Sequence, residues 1–381
     1  MTVLGIETSC DETAAAVVKD GCRLLSNVVA SSMDLHTAYG GVVPEIAARA
    51  QLETILPVID QALKTARTDW SDIDVIAVTQ GPGLSGSLLI GATTARTLAI
   101  TKKKPLYGVN HVEAHVYAAF LTSFGKNKEV RSEDGKEYTN SQFLIPNSQP
   151  PAFISNYIFP KKQPRFPLLA LIVSGGHTQL VLFKDHFDYK ILGKTADDAV
   201  GEAFDKVAKI LGLPYPGGPS VAKEAAAGNP RAIKLPEAKM SSRYAFSFSG
   251  LKTAVLRATQ HSAGVPYDFP SSGLPRLLNK AQKADIAASF QAKAVDMLIS
   301  RLAMAVEEFQ PAAVVIAGGV AANQELRSRA DKQLKLPFFY PDIKLCTDNA
   351  AMIATLGYYK IKSGQHAADP YTLEIDPALS M

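Results

Sequence analysis

Hydrophobic and polar positions along this chain follow two patterns. Short, nearly continuous apolar runs bounded by glycine or polar turns read as buried strands. Stretches with apolar positions three and four apart read as helices. Residues 3–21 (VLGIETSCDETAAAVVKDG) read as an apolar strand, a tight turn of small and polar residues, and a second apolar strand, which predicts a β-hairpin. Residues 168–186 (LLALIVSGGHTQLVLFKDH) repeat the pattern. At an offset of 165, Ser9 falls on Ser174, Thr13 on Thr178, Lys19 on Lys184 and Asp20 on Asp185. Residues 74–82 (DVIAVTQGP) and 313–321 (AVVIAGGVA) form a second, weaker pair, each a buried strand ending in glycine and leading into a helical pattern. The order hairpin, strand, glycine turn, helix therefore occurs twice, which predicts a duplicated α/β unit with two lobes.

Between these elements, Leu52, Ile55, Ile59 and Leu63 mark an apolar stripe with Pro57 as a predicted kink, and residues 281–309 form a long helical pattern without Pro or Gly. Residues 121–167 differ, with six prolines, a mixed-charge run at 126–137 and scattered aromatics, and read as a surface insertion. The predicted organisation is an N-terminal lobe at 1–109, to which 348–381 returns, and a C-terminal lobe at 110–347 with the insertion at 121–166.

Composition narrows the class. With 47% hydrophobic and 20% charged residues in 381, the chain can bury a sizeable core and is neither disordered nor a coiled coil. The longest uncharged apolar stretch, 312–322, has 11 residues including two Gly, against about 20 for a membrane span. A net charge of +4 is too small to argue for nucleic-acid binding by itself. Three scattered cysteines (Cys10, Cys22, Cys346) do not make a disulfide framework. The chain also runs from Met1 almost directly into VLGIET, without a basic segment and apolar core ahead of it. Both features predict a cytoplasmic protein.

Residues that can carry chemistry are distributed in turns. His111 and His115, at i and i+4, share one face of a helix that Asn110 is placed to cap, with Glu113 at the N3 position. Such a pair suits a shared metal or two solvated, capping histidines. It is not the H-E-x-x-H arrangement of a zinc peptidase, because the glutamate faces elsewhere. Asp348, at a loop-to-helix junction, is a candidate third ligand or a plain helix cap. A His/His/Asp set suits Fe(II) or Zn(II) acting as a Lewis acid. The glycine turn VSGGH (Val173, Ser174, Gly175, Gly176, His177) can offer consecutive N–H groups to an anion. In the equivalent turn of the first hairpin, Asp11 and Glu12 are candidates for cation binding or for a general base. Asp205 is a candidate for a ribose hydroxyl, Gly217 and Gly218 for the close approach of a flat ring, and 318–323 (GGVAAN) for a nucleotide on a helix N-terminus. Together these describe a nucleotide cleft between two similar lobes.

The motifs GIETSCDET (5–13), GGVVPEIAAR (40–49), GPGLSGSL (81–88), NHVEAH (110–115), VSGGHT (173–178), GEAFDK (201–206), YPGGP (215–219), FSFSGLKTA (246–254), GGVAAN (318–323) and CTDNAAMI (346–353) occur in one order along nearly the whole chain. In these the chain resembles the bacterial branch of the tRNA N6-adenosine threonylcarbamoyltransferase family. It departs from that branch in the length of the 121–166 stretch. The resemblance implies a duplicated α/β fold of the actin, sugar-kinase and heat-shock-70 ATPase type. It implies transfer of threonylcarbamoyl from threonylcarbamoyl-AMP to the N6 amine of adenosine 37 in tRNAs reading ANN codons. It implies one divalent metal per subunit on His111, His115 and Asp348, with Fe(II) ahead of Zn(II). Residues 173–177 would bind the phosphate and threonylcarbamoyl side, Asp205 and Gly218 the ribose and adenine, and Asn323 the nucleotide. Ser9, Asp11 and Glu12 would line the other wall; the need of the reaction for a proton acceptor makes Glu12 or Asp11 the candidate base. Its implied partners are tRNA, a TsaB-like paralogous subunit and a TsaE-like P-loop ATPase, with no membrane. A small-molecule kinase of the same fold is the competing reading, but it needs ATP with Mg²⁺ and no histidine pair. A metallopeptidase needs a positioned base beside the metal, and a non-catalytic actin-like module needs no metal at all.

Overall fold

The computed structural model describes residues 1–36, 39, 41–122, 157–238, 240 and 242–381, so most of the predicted insertion at 121–166 lies outside the described residues. The chain divides into two compact units, Met1–Gln163 with Pro341–Met381, and Pro164–Tyr340. The first unit contains β1 (Thr2–Glu7), β2 (Glu12–Lys19), β3 (Arg23–Ser31), α1 (Met33–His36), α2 (Pro44–Ala66), β4 (Val75–Gly81), α3 (Ser85–Lys102), β5 (Leu106–Asn110) and α4 (His111–Tyr117). The second contains β6 (Leu168–Val173), β7 (Thr178–Asp185), β8 (Asp188–Lys194), α5 (Val200–Leu211), α6 (Gly217–Ala225), α7 (Ser249–Ser262), α8 (Lys280–Phe309), β9 (Ala313–Ala317), α9 (Gln324–Gln333) and β10 (Phe338–Phe339). The chain then returns to the first unit and forms α10 (Ala350–Lys362). Among the described residues no helix is long and apolar enough to cross a membrane.

The duplication read from the sequence is present in the topology. Among the described residues the first unit's sheet has the order β3-β2-β1-β4-β5 and the second unit's has β8-β7-β6-β9-β10. In each, the opening strand pairs antiparallel with the next (Glu7 opposite Ala14, Val173 opposite Thr178) and parallel with the strand after the first helical crossover.

The core of the first unit explains why β1 reads as an unbroken apolar run. All six of its residues are buried. Leu4 and Ile6 belong to an apolar cluster with Ile55, Val58 and Ile59 of α2 and Ala95 and Ala99 of α3. Gly5, between them, turns to the opposite face and meets α10. A Cβ on Gly5 would lie 2.3 Å from the Ala350 carbonyl oxygen, and one on Gly357 would lie 2.5 Å from the Ala77 Cβ of β4. Small residues on both sides thus let α10 lie directly on the sheet, and Asp348 stands two residues before that helix.

Two expectations are revised. Leu52 is 69% exposed, together with Leu56 at 61%, while Ile55, Ile59 and Leu63 are buried. The buried face of α2 runs through Ala47, Gln51, Thr54, Val58 and Ala62, and Leu52 stands about 100° around the helix from Gln51. The division between units falls at 163/164 and 340/341, not at 109/110 and 347/348. The reason is that α4 follows β5 without a break and packs on α10, which holds 110–117 in the first unit.

Gly5→Val is expected to destabilise the protein by about 1–3 kcal/mol or more, because the branched side chain must push α10 off β1. Gly250→Ala, where a Cβ meets nothing within 4 Å, should change stability by no more than about 0.5 kcal/mol. Thermal melting of the two variants checks both.

Candidate active site

In the first unit the site is built by the ends of three elements. Asn110 closes β5 and caps α4, its Oδ1 accepting from the amides of Val112 (2.8 Å) and Glu113 (3.1 Å). The cap fixes where the helix starts and so sets His111 and His115 one turn apart, their rings edge to face with centroids 4.8 Å apart. Asp348 arrives from the segment before α10, with its Oδ1 3.3 Å from His111 Nε2 and 3.5 Å from His115 Nε2. One ligand atom from each of the three lies within 4.8 Å of the others. The cap reading of Asp348 does not hold, because Asn349 caps α10 by accepting from the Met352 amide. Two imidazole nitrogens and a carboxylate oxygen, gathered in a site where both histidines are buried, are a donor set that fits a divalent cation such as Fe(II) or Zn(II).

Sequence reasoning missed Glu7. Its side chain has no exposed surface. Thr79 Oγ1 donates to its Oε2 at 2.6 Å, the Ser9 amide donates to its Oε1, and His111 Nδ1 lies 3.0 Å from Oε2. Ser9 Oγ is 3.1 Å from the same Nδ1. The available signal was a charged residue at the carboxyl end of an apolar strand, where α/β sheets place their ligands. Burial disfavours the charged form of His111, but the Asp348 and Glu7 carboxylates outweigh it and hold the imidazole well above its ordinary pKa.

The turn carrying Ser9, Asp11 and Glu12 is anchored through its carbonyls. Gln51 of α2 donates to Thr8, Cys10 and Glu12, Ser87 Oγ to Cys10, the Leu84 amide to Ser9, and Ser32 to Asp11. Burial, together with the neighbouring Asp11 and Asp348, pushes the Glu12 carboxyl well above the usual carboxylate range. The same burial and carboxylates raise the Cys10 thiol, so it is not a ready nucleophile. Glu113 is buried on α4 and pushed up to about 7 by that burial, against the pull of Lys360.

The remaining predicted residues lie in the second unit. The turn after β6 is closed by the Ser174 amide donating to the His177 carbonyl and by the His177 amide donating to Ser174 Oγ. Cβ atoms on Gly175 or Gly176 would meet nothing within 4 Å. Gly201 packs against the Ser174 carbonyl, and Gly318, at φ +94°, lies where a Cβ would come within 2.5 Å of the Val173 carbonyl. The turn, the start of α5 and the end of β9 therefore converge, each through a glycine. Asp205, one turn along α5 from Gly201, accepts from the Gly217 amide at 2.7 Å. Burial raises Asp205, opposed by that amide. Gly218 beside it faces open space. Asn323 caps α9 by accepting from the Leu326 amide and donates to Gln291, so its carboxamide shapes the 318–323 turn. Asp197 and Asp198 were also missed. Asp197 accepts from Ser247 Oγ and from the amides of Phe248 and Ser249, and Asp198 accepts from Lys206 and Lys252, tying the 246–254 motif to α5.

Known proteins resemble this chain over nearly its whole length. The family model described as tRNA N6-adenosine threonylcarbamoyltransferase matches residues 23–130 and 151–355. A protein of that name from Thermomicrobium roseum is 48% identical over 376 residues, which cover 96% of this chain and 94% of that protein. One from Symbiobacterium thermophilum is 47% identical, covering 95% of this chain and 92% of its own. Among solved structures, HypF of T. kodakarensis matches with a TM-score of 0.57 at 13% identity, over 97% of this chain and 49% of that one, a likeness of fold.

His115→Ala is expected to lose bound metal with its circular dichroism spectrum unchanged. Wild-type metal content in the folded variant would remove His115 from the ligand set. Because His111 holds a proton to a raised pKa, a cation must displace that proton. Metal affinity in the wild type should therefore climb with pH until His111 is deprotonated and then level off, which titration of Zn(II) at several pH values measures.

Proposed function

The chain belongs to the tRNA N6-adenosine threonylcarbamoyltransferase family, and from that premise we propose that it moves threonylcarbamoyl from threonylcarbamoyl-AMP to the N6 amine of adenosine 37 in tRNAs reading ANN codons. The amine nitrogen attacks the carbamoyl carbon, the bond from that carbon to the phosphate oxygen breaks, AMP leaves, and the amine's proton passes to a carboxylate. The donor is a mixed anhydride with a good leaving group, whereas the adenine amine is a poor nucleophile because its lone pair is delocalised into the ring. The enzyme must therefore orient the attack and stabilise charge on the carbonyl oxygen. The observation that carries this reading is the convergence of His111, His115 and Asp348 in a chain of this family. A kinase on the same fold has no use for that histidine pair.

His111, His115 and Asp348 would hold one divalent cation, Fe(II) ahead of Zn(II). When bound, it supplies Lewis acidity toward a carbonyl oxygen. Glu12 is the proton acceptor in this reading, ahead of Asp11. A carboxyl held above its usual range is a stronger base near neutral pH than an ordinary one. Gly175 and Gly176, where a Cβ would meet nothing within 4 Å, leave room for the donor's phosphate to reach the backbone. The Asp205 carboxylate suits a ribose hydroxyl, and Gly218 leaves room for the adenine. The acceptor base must be unstacked from the anticodon loop, the usual setting for specific RNA recognition. The partners in this reading are tRNA, a TsaB-like paralogous subunit and a TsaE-like P-loop ATPase, and the setting is the cytoplasm. The exposed Leu52 and Leu56 of α2 and Leu89 of α3, on two helices that pack together, suit the paralogous subunit.

Transfer of labelled threonine to unmodified tRNA tests the reaction. With this protein, threonylcarbamoyl-AMP and both helpers, label should enter the tRNA and AMP should appear in equal amount. Label that enters equally well without this protein would overturn the proposal. Gly176→Val tests the phosphate turn. Its side chain meets no protein atom at Cβ, so the fold and the metal should be retained while AMP binding, read by calorimetry, is lost. Wild-type AMP affinity in that variant would move the nucleotide elsewhere.

A further inference from the structure

We infer that Glu7 is the positioning residue of the metal centre: its carboxylate accepts the hydrogen of His111 Nδ1 and so aims His111 Nε2 at the point where His115 Nε2 and Asp348 Oδ1 converge. The inference rests on the metal-holding role proposed above and deepens it.

Glu7 Oε2 lies 3.0 Å from Nδ1. If Nδ1 carried a lone pair, it would face, at hydrogen-bond distance, a carboxylate oxygen of a side chain with no exposed surface. Nδ1 therefore carries the hydrogen, and once a cation displaces the proton on Nε2, that nitrogen offers its lone pair. That is the nitrogen 3.3 Å from Asp348 Oδ1. The carboxylate is fixed from two further directions. Thr79 Oγ1, on β4, donates to Oε2 at 2.6 Å, and the Ser9 amide donates to Oε1. With no exposed surface and both oxygens engaged, Glu7 has one place to be, and it passes that constraint to the ring. It is not a ligand itself, because it meets His111 at Nδ1, and Nε2 is the nitrogen turned to Asp348 and His115. Its Oε1 holds the amide of Ser9, which opens the turn carrying Asp11 and Glu12. One carboxylate thus sets both the ligand ring and the start of the candidate base's turn.

A ring nitrogen so held is expected to strengthen metal binding, and loss of such a partner typically weakens affinity about 10–100-fold. The full-length protein and its Glu7→Gln, Thr79→Val and His115→Ala variants would be titrated with Zn(II) against a chromophoric chelator. The visible absorption of each would then be recorded with Co(II) at saturation. Glu7→Gln should bind Zn(II) about 10–100-fold more weakly and show a shifted Co(II) spectrum, a change that a purely structural role would not produce. Thr79→Val, which keeps the carboxylate but withdraws a donor, should lose a few-fold in affinity. His115→Ala should bind neither ion. Wild-type affinity and spectrum in Glu7→Gln, with binding abolished in His115→Ala, would overturn this inference and leave the metal centre standing. Wild-type affinity in both would overturn the metal centre and this inference with it. If Glu7→Gln does not fold, Thr79→Val decides: unchanged affinity and spectrum there overturn the positioning role.

Discussion

A carboxylate without access to water must be satisfied by donors, or its burial is prohibitively unfavourable. Glu7 is such a group, placed at the carboxyl end of the central strand of the first unit's sheet. Its donors come from β4, from the turn after β1 and from α4. The need to satisfy this one charge ties together three segments that are distant in sequence. Remove it, and His111 Nδ1 loses the carboxylate that turns Nε2 toward Asp348.

The second constraint is steric. Asp348 can meet the histidines only because α10 lies against β1 and β4 at a distance that a single extra methyl group would upset. Gly5 and Gly357 make that approach possible. The same sheet face therefore serves the core and the site. The glycine of GIETS is a packing requirement, and two residues later its glutamate is a chemical one.

Much of this was legible in the chain. The hairpin repeat at an offset of 165 is realised as two sheets of identical strand order, because apolar runs bounded by turns leave few alternatives. The helix cap at Asn110 was legible because Asx capping is local chemistry. What was hidden depended on tertiary contact. Glu7 looked like the polar end of a strand. Gln51 looked like a neutral helix position, yet it anchors three carbonyls of the 8–12 turn. Leu52 fitted a helical stripe but faces outward, since four apolar positions do not say which side of a broad stripe the sheet will cover. The unit boundary was misplaced for a similar reason, as α4 is held by α10, more than two hundred residues away. Composition alone cannot locate such a contact.

The two halves of the duplication have been given opposite chemistry at the same place. At the offset of 165, Glu7 corresponds to Ile172, Cys10 to Gly175, Asp11 to Gly176 and Glu12 to His177. The first unit ends its strand in a buried carboxylate and follows it with a turn bearing two more. The second ends its strand in apolar residues and follows it with bare glycine backbone. Acidic side chains concentrate negative charge and suit a cation, whereas consecutive amides without side chains suit an anion. The reaction proposed above calls for both kinds of group, one toward a carbonyl and one toward a phosphate. A duplicated unit supplies two equivalent turns, and different residues at four paired positions give them opposite charge character. The repeated backbone accounts for the fold, and the positions where the repeats disagree account for the difference in charge between the two turns.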